Sequence, residues 1–133
     1  MTSKHIIIDY KILGCLHLSN IELAHLLYQI MIEAVKTTEM VIVNSSCNIL
    51  GEDGKSPLGF SNILSLNTSH FTLHNYYVKK TLSMDVYTCG ETDPQIIVDY
   101  FERKVSSLLL NTDWIGRKPV LKRTNYQKID RKF

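Results

Sequence analysis

The chain has 133 residues, of which 44% are hydrophobic and 21% are charged. This balance is typical of a folded globular protein and excludes a disordered one, and the length fits one domain with a modest core. The apolar runs are much shorter than the roughly 18 residues that span a bilayer, and the first residues do not resemble a signal peptide. We therefore expect a cytoplasmic protein that has no membrane partner.

Positive charge is concentrated towards one end of the chain. Residues 116–133 carry a net charge of +6, whereas the preceding 115 residues carry −4. A basic segment can bind nucleic acid, but no nucleic-acid-binding motif accompanies this one. We therefore expect no nucleic-acid partner, and we describe the chain as a domain over 1–115 followed by a basic C-terminal segment over 116–133.

The three cysteines are Cys15, Cys47 and Cys89, an odd number at wide spacing. They form neither a CxxC pair nor a cysteine–histidine ligand pattern. The sequence therefore predicts neither a disulfide framework nor a metal site.

The first half of the chain predicts a strand, a helix, a second strand and a loop. Ser19 and Glu22 have the spacing of a capping box, and apolar residues then recur at helical intervals. Turn-forming residues dominate the loop. The predicted bounds are 5–10 for the first strand, 19–37 for the helix, 40–49 for the second strand and 51–57 for the loop.

The second half predicts three further strands, a helix and a last strand. Pro94 suits the first turn of the helix, whose start is marked by Thr92 and Asp93. The predicted strands cover 60–66, 70–73, 81–88 and 114–121. This order indicates an α+β fold, a two-layer sandwich in which two helices cover one face of a largely antiparallel sheet.

Residues that can carry chemistry cluster between Gly59 and Glu91. Ser69 and His74 taken alone would suggest a serine hydrolase, but such an enzyme also needs an orienting acid and an oxyanion hole. The G-x-S-x-G pattern of one hydrolase class is also missing from the sequence. The hydrolase interpretation is therefore weak. Three short segments remain to be explained: Gly59-Phe60-Ser61, Thr68-Ser69-His70-Phe71-Thr72-Leu73-His74 and Asp85-Val86-Tyr87-Thr88-Cys89-Gly90.

Together these segments resemble the small prokaryotic type of S-adenosylmethionine decarboxylase. Ser69 lies at the processing serine of that family, and His74 follows five residues later. Cys89 lies twenty residues after Ser69, and Ser61 lies eight before it. The opening run His5–Asp9 and the pair Gly14-Cys15 also match, so that the resemblance covers about residues 5 to 115.

The resemblance implies a pyruvoyl cofactor made from Ser69 by cleavage of the chain between Thr68 and Ser69. Its ketone would form a Schiff base with the substrate amine and accept electrons as carbon dioxide leaves. His74 and Ser61 would assist the cleavage, and Cys89 would protonate the substrate carbon. The resemblance also implies a homodimer of processed protomers, without a metal or a nucleotide cofactor.

Several positions depart from the family pattern. Thr68 replaces a glutamate, and Asn75-Tyr76-Tyr77-Val78 replaces Thr-Trp-Pro-Glu, which places Val78 where a glutamate normally binds ribose hydroxyls. The phenylalanine that stacks on adenine has no clear counterpart, although Phe60 or Tyr76 could replace it.

These departures leave more than one function open. The substrate could be S-adenosylmethionine, in polyamine biosynthesis, or a smaller amino acid such as ornithine or arginine. Glu52, Asp53 or Asp9 could then bind the distal cation of the smaller substrate. The alternative is an unprocessed, non-catalytic homologue that acts as a regulatory or structural partner, which the change at Thr68 favours.

Overall fold

The computed structural model describes residues 1–14, 17–108 and 120–133, and it places two helices on one face of a six-stranded antiparallel sheet. The predicted α+β sandwich is confirmed. The strands lie in the order β2-β3-β4-β5-β1-β6. The elements are β1 (Thr2–Leu13), α1 (Asn20–Lys36), β2 (Ile42–Leu50), β3 (Gly59–Leu66), β4 (Ser69–Tyr76), β5 (Thr81–Cys89), α2 (Pro94–Leu108) and β6 (Val120–Lys132).

The start of α1 is fixed by the capping box that the sequence predicted. The Ser19 hydroxyl accepts a hydrogen bond from the Glu22 N–H, and the Glu22 carboxylate accepts one from the Ser19 N–H. The second bond favours the ionised carboxylate and therefore lowers the pKa of Glu22. The helix then buries an apolar stripe against the sheet: Leu23, Ala24, Leu27, Ile30, Met31, Ala34 and Val35.

The core lies between the helices and one face of the sheet. Alternate residues of each central strand point into it, because successive side chains of a strand face opposite ways. The buried residues include Ile6, Ile8, Tyr10 and Ile12 of β1, Phe71 and Leu73 of β4, Leu82, Met84 and Val86 of β5, and Ile97, Val98 and Phe101 of α2. We refer to the opposite face, which neither helix covers, as the outer face.

Much of the basic segment is an edge strand. β6 pairs with β1 over almost its whole length, with one irregularity in register beside Asp9 and Tyr10. Arg123 donates two hydrogen bonds of 2.6 Å to the Glu102 carboxylate of α2, which also accepts the buried Tyr10 hydroxyl at 2.9 Å. Burial, reinforced by Glu102, raises the pKa of Tyr10.

Parts of two predictions concern residues that the structure does not describe. Of the residues in these two predictions, those outside the described ranges are Cys15 and residues 114–119 of the predicted last strand. Among the described residues, neither helix has the length and apolar character that crossing a membrane requires.

Candidate active site

The connection between β3 and β4 holds its second residue in an unusual backbone conformation. Leu66 pairs with Ser69, so only Asn67 and Thr68 link the two strands. Thr68 has a φ of +60°, in the left-handed region that β-branched residues rarely occupy. Such a conformation costs about 1–3 kcal/mol. The peptide group between Thr68 and Ser69 therefore follows a strained residue.

Ser69 begins β4 beside the end of β5. Its hydroxyl oxygen accepts a hydrogen bond of 3.2 Å from the Cys89 N–H, and the residue is only 9% exposed. The Cys89 thiol lies 3.8 Å from the Thr2 carbonyl oxygen, and Gly90 turns the chain away with a φ of +85°. We call Thr68, Ser69 and Cys89 the Ser69 corner.

A second pair of predicted residues lies near the other end of β4. Ser61 of β3 is directly opposite His74 of β4, and the Ser61 hydroxyl oxygen lies 2.5 Å from Nδ1 of His74. Residues opposite each other in an antiparallel pair share a face, so both side chains lie on the outer face. We call Ser61 and His74 the His74 corner.

A pocket of about 420 Å³ opens beside the His74 corner. Phe60 and Tyr76, the two aromatic residues that the sequence proposed for substrate binding, both line it, and none of the described residues that line it carries a carboxylate. Gly59 lets the two strands approach here, since a Cβ atom at this position would lie 2.0 Å from the Asn75 carbonyl oxygen. The described residues that line it are Leu50, Ser56, Pro57, Phe60, His74, Asn75 and Tyr76.

One chain does not bring the two corners together. Ser69 and His74 are five residues apart on one strand, which corresponds to about 17 Å at the usual rise per residue. Ser69 also lies on the buried face of the strand, together with Phe71 and Leu73, whereas His74 is exposed. His74 of the same chain therefore cannot contact the Ser69 hydroxyl in this structure.

The three candidate acids already have other partners. Glu52 accepts a hydrogen bond from the Asn20 side chain at 3.1 Å. Asp53 accepts the Lys55 N–H within an exposed turn, and Asp9 accepts the Ser83 hydroxyl on the outer face. None of the three lines the pocket, so the structure does not place them with Phe60 and Tyr76.

Sequence reasoning missed a cluster next to the Ser69 corner. One carboxylate oxygen of Asp85 lies 2.5 Å from Nε2 of His5 and 3.1 Å from Nε2 of His70. The ring of Tyr87 stacks on the His70 ring at a centroid distance of 5.5 Å. His70 and Asp85 lie inside the motifs quoted above, but only strand pairing shows that they meet with His5.

A family model described as S-adenosylmethionine decarboxylase matches residues 4–117. This match covers most of the chain and includes both corners. The chain therefore belongs to the S-adenosylmethionine decarboxylase family.

Individual relatives agree with this assignment. An S-adenosylmethionine decarboxylase proenzyme of Geobacillus sp. (strain WCH70) is 38% identical over 67 residues, which are 49% of this chain and 54% of the relative. A proenzyme of the same name from Thermococcus onnurineus (strain NA1) is 33% identical over 90 residues, 67% of this chain and 60% of the relative. The chain spans about half the length of the curated relatives it matches.

A solved structure supports the fold. The crystal structure of the adenosylmethionine decarboxylase from Aquifex aeolicus superposes with a TM-score of 0.62 at 18% identity. The superposition covers 97% of this chain and 88% of the other.

Proposed function

We propose that this protein is a self-processing, pyruvoyl-dependent decarboxylase whose cofactor is made from Ser69. One observation carries the proposal: the peptide group before Ser69 follows the left-handed Thr68, while the Ser69 hydroxyl is held against the Cys89 N–H. Family membership supports it, because the matched relatives are named as proenzymes.

The cleavage would use only atoms of this chain and one water molecule. The Ser69 hydroxyl oxygen attacks the Thr68 carbonyl carbon, and the Thr68–Ser69 amide becomes an ester with a free Ser69 amine. Elimination removes the Cα proton of residue 69 and releases the Thr68 carboxylate, leaving dehydroalanine. Water then replaces the nitrogen, which leaves as ammonia, and residue 69 becomes a pyruvoyl group. The strain at Thr68 favours this reaction because cutting the chain releases it.

The residues around position 69 fit such a group. When present, the ketone supplies an electron sink for loss of carbon dioxide from an amino acid. Cys89 is the proton donor that we assign to the substrate carbon, because the family resemblance gives it this role and its backbone N–H places the residue next to Ser69. Its sulfur, near the Thr2 carbonyl, lies at the same end of the sheet.

Ser61 and His74 would act on Ser69 of a second copy of the chain. They cannot reach Ser69 of their own chain, yet the outer face on which they lie is not covered by either helix. In a dimer with two-fold symmetry, each copy offers its His74 corner to the Ser69 corner of the other, so that two complete sites form. His74 would then move protons during cleavage, and Ser61 would hold its ring in place.

The pocket favours S-adenosylmethionine over ornithine or arginine as the substrate. Its lining is mainly apolar and aromatic, and among the residues that the structure describes it offers no carboxylate for the distal cation of a small basic amino acid. A planar, uncharged ring matches the exposed ring of Tyr76 better than an ammonium or guanidinium group does, while Phe60 closes the pocket from the core, where it is only 1% exposed. The product would then enter polyamine biosynthesis.

Intact mass under denaturing conditions tests the cleavage. The purified wild-type chain is expected to give two species that correspond to residues 1–68 and 69–133, whereas a Ser69→Ala chain stays whole. Ser65→Ala is the matched control, because Ser65 is an exposed serine of the neighbouring strand, and it is expected to cut like the wild type. A wild-type chain that remains whole after prolonged incubation would instead favour the non-catalytic partner.

Carbon dioxide release then tests the substrate. The cut protein is incubated with S-adenosylmethionine, ornithine or arginine in parallel. We expect release from S-adenosylmethionine, and release from ornithine or arginine alone would contradict the substrate assignment.

A further inference from the structure

His70 is the second residue after the proposed cut, next to Ser69, and its side chain is held on two sides. Its Nε2 lies 3.1 Å from the Asp85 carboxylate, and its ring stacks on Tyr87 with an interplanar angle of 15°. The register of β4 and β5 explains the second contact, since His70 and Tyr87 are directly opposite each other. The side chain therefore ties the second residue of β4 to β5.

His5 holds Asp85 in turn. Its Nε2 lies 2.5 Å from the same carboxylate oxygen, and its side chain is only 15% exposed. Two nitrogens of Arg131, which can only donate, lie 3.4 and 3.5 Å from Nδ1 of His5. Nδ1 must then accept, which leaves the ring proton on Nε2, where it is donated to Asp85.

This donor pattern favours a hydrogen-bonded chain over a metal site. His5, His70 and Asp85 have ligand atoms within 4.8 Å of one another, a spacing that could hold a metal ion. A metal on Nε2 of His5 would require a proton on Nδ1, which would then face the N–H groups of Arg131. Hydrogen bonds to Asp85 satisfy all three side chains without that conflict.

Cleavage makes the contacts of the His70 side chain more important for holding residue 69 in place. In the intact chain, residue 69 is held from both sides, by Thr68 and by His70. After the cut, residue 69 is a chain end, and chain ends fray unless another contact holds them. The contacts at His70 are then the nearest side-chain anchors to the new end.

We propose that His70, clamped between Asp85 and Tyr87, is a positioning residue that keeps the pyruvoyl end beside Cys89 after cleavage. His5 and Arg131 support the clamp by fixing the Asp85 carboxylate. The inference rests on the proposed function, because it needs a cut chain.

Hydrogen exchange measured by mass spectrometry tests the clamp. The segment 70–76 is compared in cut wild-type protein and in cut His70→Ala protein. Loss of a hydrogen bond to a charged group predicts exchange that is about tenfold faster in the variant. The same substitution in an uncut Ser69→Ala chain is expected to change exchange less than about twofold, because Thr68 still holds the strand.

Three companion variants separate the clamp from general destabilisation. His70→Gln keeps a side-chain N–H for Asp85 and is expected to restore most of the protection. Asp85→Asn tests the same bond from the other side if His70→Ala fails to fold. His25→Ala, at an exposed position of α1, is the matched control and is expected to behave as the wild type.

The possible results are distinguishable. A wild-type chain that is never cut overturns the proposed function and the clamp together. Cut His70→Ala protein with unchanged exchange overturns the clamp alone, and so does a folded variant that no longer cuts, because His70 would then act in cleavage. Stoichiometric zinc binding that His70→Ala abolishes would also overturn it in favour of a metal site.

Discussion

The Ser69 corner and the His74 corner lie on the same strand but are held by different kinds of contact. At the Ser69 corner the main chain provides the geometry, through the left-handed Thr68 and the Cys89 N–H. At the His74 corner two side chains meet on an exposed face next to an open pocket. Backbone geometry tolerates a change of side chain, so we expect cleavage to remain possible with Thr68 in place of a glutamate. Side-chain recognition does not, so we expect the changes over 75–78 to affect the substrate and not the cleavage.

The largest expected effect comes from inactivating one corner in one chain and the other corner in a second chain. Ser69→Ala and His74→Ala chains should each be inactive when expressed alone. Mixed dimers would contain one complete site, so co-expression should recover about a quarter of the wild-type decarboxylase activity. Mixing the two proteins after separate purification and folding is the control, and activity that never recovers would contradict a site shared between copies.

Cys89 tests the Ser69 corner on its own. Cys89→Ala should lower the decarboxylation rate by about 10²-fold, as expected for loss of a general acid, while intact mass still shows two chains. Cys47→Ala is the control because Cys47 lies on β2, which β3 and β4 separate from Cys89 on β5. Equal effects of the two substitutions would remove Cys89 from the chemistry.

Thr68→Gly tests whether backbone strain promotes cleavage. Glycine adopts the left-handed region without strain, so the uncut Ser69→Ala chain should gain about 1 kcal/mol in its free energy of unfolding. In the otherwise wild-type chain, the cut should become about fivefold slower, because about 1 kcal/mol of released strain corresponds to roughly a factor of five in rate.

Lys80→Gly is the matched control for that experiment. Lys80 is the other non-glycine residue with a positive φ among those the structure describes, at +54°, and it lies in the β4–β5 connection. Lys80→Gly removes the backbone strain together with the hydrogen bond from the Lys80 ammonium group to the Gly14 carbonyl oxygen, and it should leave the cleavage rate unchanged. A cleavage rate that falls equally in both variants would show that stability, and not the strain at Thr68, controls the cut.

The smallest expected effect concerns substrate recognition beside the His74 corner. Val78 is 81% exposed, and the family resemblance aligns it with a glutamate that would bind ribose hydroxyls. Val78→Glu should raise kcat/KM for S-adenosylmethionine by about fivefold. This is the effect expected of a hydrogen bond to a charged group when exposure to solvent weakens it. Val43→Glu, at another exposed valine, should leave kcat/KM unchanged. No gain from Val78→Glu would indicate that the pocket binds its substrate in another way.

Much of the fold was predictable because its signals are local. The capping box at Ser19 and Glu22 placed the start of α1 correctly, and turn-forming residues marked the loop after β2. β6 was harder to predict because most of its residues are exposed and polar, so that periodicity gives little indication of a strand. Its position depends on pairing with β1, which lies more than a hundred residues earlier.

The candidate site divides in the same way. The sequence by itself determined the family, the residue types at Ser61, Ser69, His74 and Cys89, and their spacing. A motif consists of residue types at fixed intervals along the chain, and both can be read without the fold. Only the tertiary structure decided that Ser61 pairs with His74, that Ser69 meets Cys89, and that these two pairs lie apart. The reason is physical: strand pairing sets which residues are opposite each other, and alternation along a strand sets the face that each side chain occupies. The cluster of His5, His70 and Asp85 arises from the same pairing, across three strands that are separated in sequence.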